Sequence, residues 1–207
     1  IINLSIIVEF NKTFQGHDKK FLFQKKKYAK YKKKIIYIKN KISKNLYFKS
    51  AWEMEFYQRN FILNCIKNFN EKNFIILSDV DEILNIKKIK LIKNQICIYE
   101  CLNFRFYGNY LNKTNPTWPI PLTTTIKISK QIGMQNLRNS YKAQKKGSPY
   151  DIYRKKIKYT KTSLIKNSGW HFSSLKNLAF INCKYFSVLF PSKTIFRFFC
   201  NKKLIIE

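Results

Sequence analysis

Eleven residues of this 207-residue chain are acidic, and three of them stand together: Asp79, Asp81 and Glu82. They follow Phe74-Ile75-Ile76-Leu77, a continuous apolar run that reads as a strand covered on both faces. In open α/β sheets ligands sit beyond the carboxyl ends of the strands, so this cluster is where a site is expected. Asp-x-Asp at a strand end lets both carboxylates reach one hard cation, Mg²⁺ or Mn²⁺. Such an ion is usually held by one or two carboxylates plus substrate phosphate oxygens, so the spacing suggests a diphosphate ligand. The plainer alternative is that the acids cap a following helix, but one cap explains one acid and leaves the others repelling each other.

Two chemistries use a strand followed by D-x-D. Aspartate-nucleophile phosphatases need a later acidic pair, whereas the acids after Glu82 are Glu100, Asp151 and Glu207, isolated from one another. Nucleotide-sugar transferases of the GT-A type require only the metal-bridging D-x-D, a demand this sequence meets.

The elements that must position the cluster are read from pattern. Ile6-Ile7-Val8 fits a buried strand ending at Glu9, and Ile35 to Ile38 fits another. Ser50 is a candidate N-cap for a helix reaching Phe69, with Trp52, Phe56, Ile62 and Ile66 on one face. A Lys-rich amphipathic helix is expected over Ile83 to Ile92, and extended chain from Ile96 to Tyr110. Pro116, Pro119 and Pro121 with Trp118 suggest a rigid loop. Lys142 to Lys158 reads as a basic surface excursion, and a short helix is expected from Ser174. Strands alternating with helices predict an α/β fold with a mainly parallel central sheet flanked by helices, in a single domain spanning residues 1–207. Because the chain opens at Ile1 inside an apolar run, it reads as cut from something longer.

The 41 Lys+Arg against 11 Asp+Glu give a formal charge of +30, which raises nucleic acid, anionic membrane or a polyanionic substrate as partners. The alternative explanation of that excess is a drift toward Lys, Asn, Ile, Phe and Tyr, as in A+T-rich coding sequence. Five Cys without a C-x-x-C pair predict reduced, mostly buried thiols. No apolar run approaches the roughly 18 residues of a membrane span, so any membrane association is expected to be electrostatic and peripheral.

Five blocks in order resemble glycosyltransferase family 17, the family of β-1,4-mannosyl-glycoprotein 4-β-N-acetylglucosaminyltransferase. They are Ile7 to Gly16, Trp52 with Glu55, Gln58 and Arg59, Leu77 to Ile83, Phe106-Tyr107 with Trp118, and Gly169-Trp170-His171-Phe172-Ser173. The resemblance implies a GT-A-like fold, here expected to lack its first strand-helix unit. It also implies UDP-GlcNAc as donor and inverting, Mn²⁺- or Mg²⁺-dependent transfer of N-acetylglucosamine to a glycan hydroxyl, on β-linked mannose in the characterised relatives.

Asp81 is then a direct metal ligand and Asp79 lies on the metal or the ribose. His171, one of 2 His, is proposed to complete the coordination shell; the alternative is a packed or substrate-contacting histidine. Glu9 is expected at the nucleotide, Lys19 at phosphate, and Arg59 at phosphate or paired with Glu9 or within its helix. Trp170 either stacks on a sugar or belongs to the core. Glu82 is named first as the base that takes the acceptor proton, and Asp151 second.

The expected partners are a nucleotide-sugar donor and a glycan acceptor, lipopolysaccharide, capsule and viral glycans among them, with no specific nucleic acid and with peripheral contact to an anionic membrane possible. The rival readings are a non-catalytic protein binding nucleic acid or anions through Lys25 to Lys34 and Lys142 to Lys158, and an inactive truncated relative. Without a leader or anchor the location expected is cytoplasmic or peripheral to a membrane, of bacterial or viral type. For a eukaryotic member whose anchor is missing from this chain it is the Golgi lumen, where the eukaryotic relatives work.

Overall fold

A computed structural model describes residues 4–14, 16–43, 46–105, 110–143, 160–173 and 196–201. Asp151, Phe106-Tyr107, most of the 142–158 stretch and the helix expected from Ser174 lie outside the described residues.

Ten strands form one sheet: β1 (Leu4–Phe10), β2 (Ile35–Asn40), β3 (Phe74–Asp79), β4 (Glu82–Leu84), β5 (Gln95–Arg105), β6 (Tyr110–Leu111), β7 (Thr117–Thr125), β8 (Lys161–Ile165), β9 (Gly169–Ser173) and β10 (Phe196–Asn201). Their order is β2-β1-β10-β3-β7-β5-β9-β4, with β6 and β8 also paired to β5. β1 with β2, β5 with β8 and β5 with β9 are parallel, while β1–β10, β10–β3, β3–β7, β5–β7, β5–β6 and β4–β9 are antiparallel. The fold is mixed α/β, and the mainly parallel sheet expected from the sequence is corrected to a mixed one. Two returning strands cause the difference. β10 enters between β1 and β3, and β7 folds back along β5.

β7 is the segment read as a proline loop. Pro119 and Pro121 precede Leu122, where pairing with β3 begins, so only β5 flanks them. β5 also shifts register between Ile98 and Glu100, opposite these prolines. Prolines lacking an N–H are tolerated in a strand where one side carries no ladder or a bulge relaxes it.

The expected helix at Ile83–Ile92 is replaced by β4 and a single 3-10 turn over Ile86–Lys88. Ile83 and Ile86 are exposed, so no core face is available for a helix to bury. The helix expected from Ser50 to Phe69 is shorter and divided, over Ala51–Asn60 and Ile62–Cys65, and Trp52, expected on its apolar face, is exposed. The Ser50 hydroxyl accepts from the Glu53 N–H at the start of α1 (Ala51–Asn60), and the Glu53 carboxylate accepts from the Lys49 N–H, closing the first turn. The other α-helices among the described residues are α2 (Ile62–Cys65), α3 (Ile126–Ile132), α4 (Met134–Arg138) and α5 (Ser140–Ala143), and Lys25–Lys34 forms a 3-10 helix.

Alternate strand residues Ile6, Val8, Phe10, Ile75, Leu77, Ile96, Ile98 and Leu122 join Met54, Ile62, Ile66, Ile126, Ile132 and Leu137 in one buried cluster. That period of two seats the helices on one face of the sheet.

Gly169 opens β9 against β4. A Cβ there would meet the Ile83 carbonyl oxygen at 2.3 Å and Leu84 Cα at 3.0 Å, both backbone atoms that cannot swing aside. Gly169→Ala is expected to cost about 1–3 kcal/mol, read as a lowered unfolding midpoint in denaturant.

Candidate functional site

β1 and β3 each run antiparallel to β10, so their carboxyl ends lie at the same end of the sheet. A buried carboxylate closes each of these two ends.

At β3, the Asp79 N–H donates to Glu82 Oε2 at 2.6 Å and the Ser78 hydroxyl donates to the Glu82 carbonyl at 3.0 Å. These bonds fold the chain back so that Glu82 can start β4. Arg138, from α4, donates to Glu82 Oε2 at 2.8 Å, Glu82 Oε1 at 2.9 Å and Asp79 Oδ2 at 2.5 Å. Trp118 Nε1 donates to Glu82 Oε1 at 2.7 Å. A carboxylate offers about four lone-pair sites, and four donors occupy those of Glu82, whose side chain is fully buried. Burial alone would raise its pKa, but the Arg138 charge and these hydrogen bonds hold it below the ordinary carboxylate value. Glu82 thus anchors Arg138 and directs no lone pair to an incoming hydroxyl, contrary to the base role expected from the sequence.

Asp79 differs. Its Oδ2 meets Arg138 and lies 3.9 Å from Arg59, whereas its buried Oδ1 has no hydrogen-bond partner. Burial pushes this carboxyl up; Arg138 and Arg59 pull it down and Glu82 and Asp81 add to the rise, for a net value of about 6. Arg59 Nη2 donates to Glu55 at 2.6 Å, one helical turn away, and Nη1 donates to Gln135 of α4. The within-helix pairing expected as one alternative is therefore formed, and Arg59 faces Asp79.

Beyond the turn, Asp81 Oδ2 is 3.6 Å from His171 Nε2. The Asn103 amide nitrogen donates to the Asn115 carbonyl at 2.9 Å, which leaves its oxygen to accept from His171 Nδ1 at 3.0 Å. This network places a proton on Nδ1 and turns Nε2 toward Asp81. The Trp118 ring stacks on the imidazole at 4.2 Å and 8°. Side chains alternate along β9, so Trp170 points to the face opposite His171 and shares it with the registered Ile83 and Leu102. Trp170, expected to stack on a sugar or to belong to the core, is exposed on that face. Among the described residues no group of three or more His, Cys, Asp or Glu is close enough to form a ready-made metal cage.

At β1, Glu9 is also fully buried and also has four donors. Oε1 accepts from Lys19 Nζ at 2.8 Å and the Leu22 N–H at 2.6 Å; Oε2 accepts from the Phe23 N–H at 3.1 Å and the Tyr37 hydroxyl at 2.6 Å. Glu9 and Lys19, expected at nucleotide and phosphate, instead neutralise each other and pin the loop that follows β1. That loop is closed further by Lys12 on Asp18 at 2.9 Å and by Asn11 Oδ1 accepting from the Ile42 N–H at 2.8 Å. Burial acts to raise the Glu9 pKa, but Lys19, Tyr37 and the two backbone donors leave it lowered.

The sequence reading did not find Arg138, Gln135 or Asn103. For Arg138 a signal existed: only five of the 41 basic residues are Arg, so an Arg kept in a lysine-drifted chain marks a position where a planar, bidentate cation is needed.

The model of glycosyltransferase family 17 matches residues 1–115. The chain belongs to glycosyltransferase family 17. Membership makes this protein a glycosyltransferase, and the matched stretch contains Glu9, Arg59, Asp79, Asp81 and Glu82, while Trp118, Arg138 and His171 lie beyond it. No curated protein and no solved structure matches the chain. Among the described residues no helix is long and apolar enough to cross a membrane.

Two variants test the buried carboxylates. Arg138→Met leaves Asp79 and Glu82 without their shared cation and is expected to lose about 3–5 kcal/mol in denaturant unfolding. Glu9 has a folded-state pKa below its ordinary 4.5, so its stabilisation is complete above that value and is lost as pH falls through the folded value. Glu9→Gln is therefore expected to be less stable by roughly 2 kcal/mol at neutral pH, with the gap to wild type closing as pH drops below 4.5.

Proposed function

We propose that this glycosyltransferase moves N-acetylglucosamine from UDP-GlcNAc to a hydroxyl of a glycan, with inversion and with Mn²⁺ or Mg²⁺ for which Asp79, Asp81 and His171 are the candidate ligands, drawn together as the donor diphosphate supplies the other oxygens. The observation that carries the reading is the buried, partnerless Oδ1 of Asp79, two residues from Asp81, whose carboxylate lies 3.6 Å from His171 Nε2. A buried carboxylate oxygen without a donor calls for an ion or water. One imidazole with two carboxylates is a donor set that Mn²⁺ accepts, and substrate diphosphate oxygens would fill the remaining positions. When bound, the cation would offset the charge that grows on the departing diphosphate.

The chain's own residues do the rest. Arg138 neutralises the Glu82 and Asp79 carboxylates that lie side by side, and Arg59 adds a second guanidinium near Asp79. Asn103 and Trp118 fix the tautomer and plane of His171, the kind of outer support that ligating histidines require. Inversion has the acceptor oxygen attack the anomeric carbon from the face opposite UDP as the bond to the diphosphate breaks, and a carboxylate takes the hydroxyl proton. With Glu82 engaged on Arg138 and Trp118, Asp151 is the remaining expected base.

Asp81→Ala is expected to reduce UDP-GlcNAc turnover about a hundredfold or more and His171→Ala about ten- to a hundredfold. Both should raise the Mn²⁺ concentration needed for half-maximal donor binding. Turnover by Asp81→Ala with wild-type metal dependence would remove the metal role, and a preference for another nucleotide sugar across a donor panel would remove the UDP-GlcNAc assignment.

A further inference from the structure

The connection from β1 to its parallel neighbour β2 carries the densest charge among the described residues. Lys25–Lys34 is a 3-10 helix of sequence KKKYAKYKKK, so seven of its ten residues are Lys, against 41 basic residues in 207 for the whole chain. No acidic residue occurs between Asp18 and Glu53. Compositional drift spreads lysines along a chain and does not produce this density in one element. The helix buries no residue, so packing does not account for its composition either. The described ion pairs leave every lysine of this helix without a carboxylate partner.

Its flanks are built differently. The Leu22 and Phe23 N–H groups are fixed by Glu9, and Phe23 stacks on Tyr28 at 5.0 Å, which holds the first turn to the fold. Around the lysines, Leu22, Tyr31 and Ile36 are 41%, 50% and 37% exposed. Aliphatic side chains offer nothing for a base to stack on, whereas an aromatic and two aliphatics set among lysines suit the headgroup boundary of a bilayer, where stems and rings enter and ammonium groups stay in water. A basic segment is attracted to anionic lipid within about a Debye length of the surface.

We infer that Lys25–Lys34, with Leu22, Tyr31 and Ile36, is a docking surface for anionic phospholipid bilayers. It does not depend on the donor assignment. Glu9 serves as its positioning residue by clamping the backbone at its start.

The test is co-sedimentation of the full chain with phosphatidylcholine vesicles, with and without phosphatidylglycerol, at low and near-physiological salt. One variant carries Gln at Lys26, Lys27, Lys30, Lys32, Lys33 and Lys34. A charge-matched control carries Gln at the exposed Lys67, Lys72, Lys87, Lys93, Lys113 and Lys127. The expected result is binding that needs phosphatidylglycerol, weakens with salt, falls about tenfold or more in the helix variant and less than about threefold in the control. In Tyr31→Ser the part of binding that survives higher salt should shrink. Equal loss in both lysine variants would assign binding to net charge and overturn the proposal. So would absence of vesicle binding, including the case in which oligouridylate binds through the same lysines and vesicles do not.

Discussion

The Arg138 guanidinium is the constraint on which the site end of the sheet depends. It joins the last residue of β3 to the first of β4 through Asp79 and Glu82, and it ties both to α4. Without a cation at that point, two carboxylates three residues apart would be forced together in a partly desolvated space, and the turn carrying Asp81 would have no reason to hold its shape. With it, one oxygen of Asp79 is committed to structure and the other is left over. The same pair of residues therefore separates into a scaffold half, Glu82, and a half still able to coordinate, Asp79.

Glu9 repeats the arrangement at β1, which runs in the same direction as β3 with β10 between them, with Lys19, Tyr37 and two backbone amides in place of Arg138 and Trp118. Acidic residues are scarce here, and two of them are spent on buried hubs at the carboxyl ends of β1 and β3. This makes sense of a chain so rich in lysine. Positive charge is available everywhere, so the rare anion decides where loops are pinned. It also explains why residues that look like ligands in sequence, Glu9, Lys19 and Glu82, face one another or the fold.

The strand at Phe74–Asp79, the N-cap at Ser50 and the strand ending at Glu9 were legible because each depends on local pattern: an unbroken apolar run, a hydroxyl three residues ahead of an acid, a β-branched triplet. The strand at Thr117–Thr125 was not, since its prolines are permitted only by a β5 bulge and by a β3 ladder that begins at Leu122, neither of which has a local signature. The helix expected over Ile83–Ile92 failed for a related reason: its apolar residues have a helical period but no surface to cover, and β9 claims Glu82–Leu84 instead. Of the site, Asp79, Asp81 and His171 could be named from residue type, and the sheet brings Asp81 and His171 together. Arg138 and Asn103 act through partners more than fifty positions away, which a single sequence read locally does not show.

The position of β10 carries one more consequence. Residues 196–201 separate β1 from β3, so the edge formed by β1 and β2 reaches the rest of the sheet, among the described strands, only through a segment far from it in sequence. Pairing β1 and β3 with β10 is a long-range closure, whose loop entropy must be met before the contacts reward it, and this slows assembly. Sealing of the central gap by β10 would then be the step that commits the polypeptide to its native form.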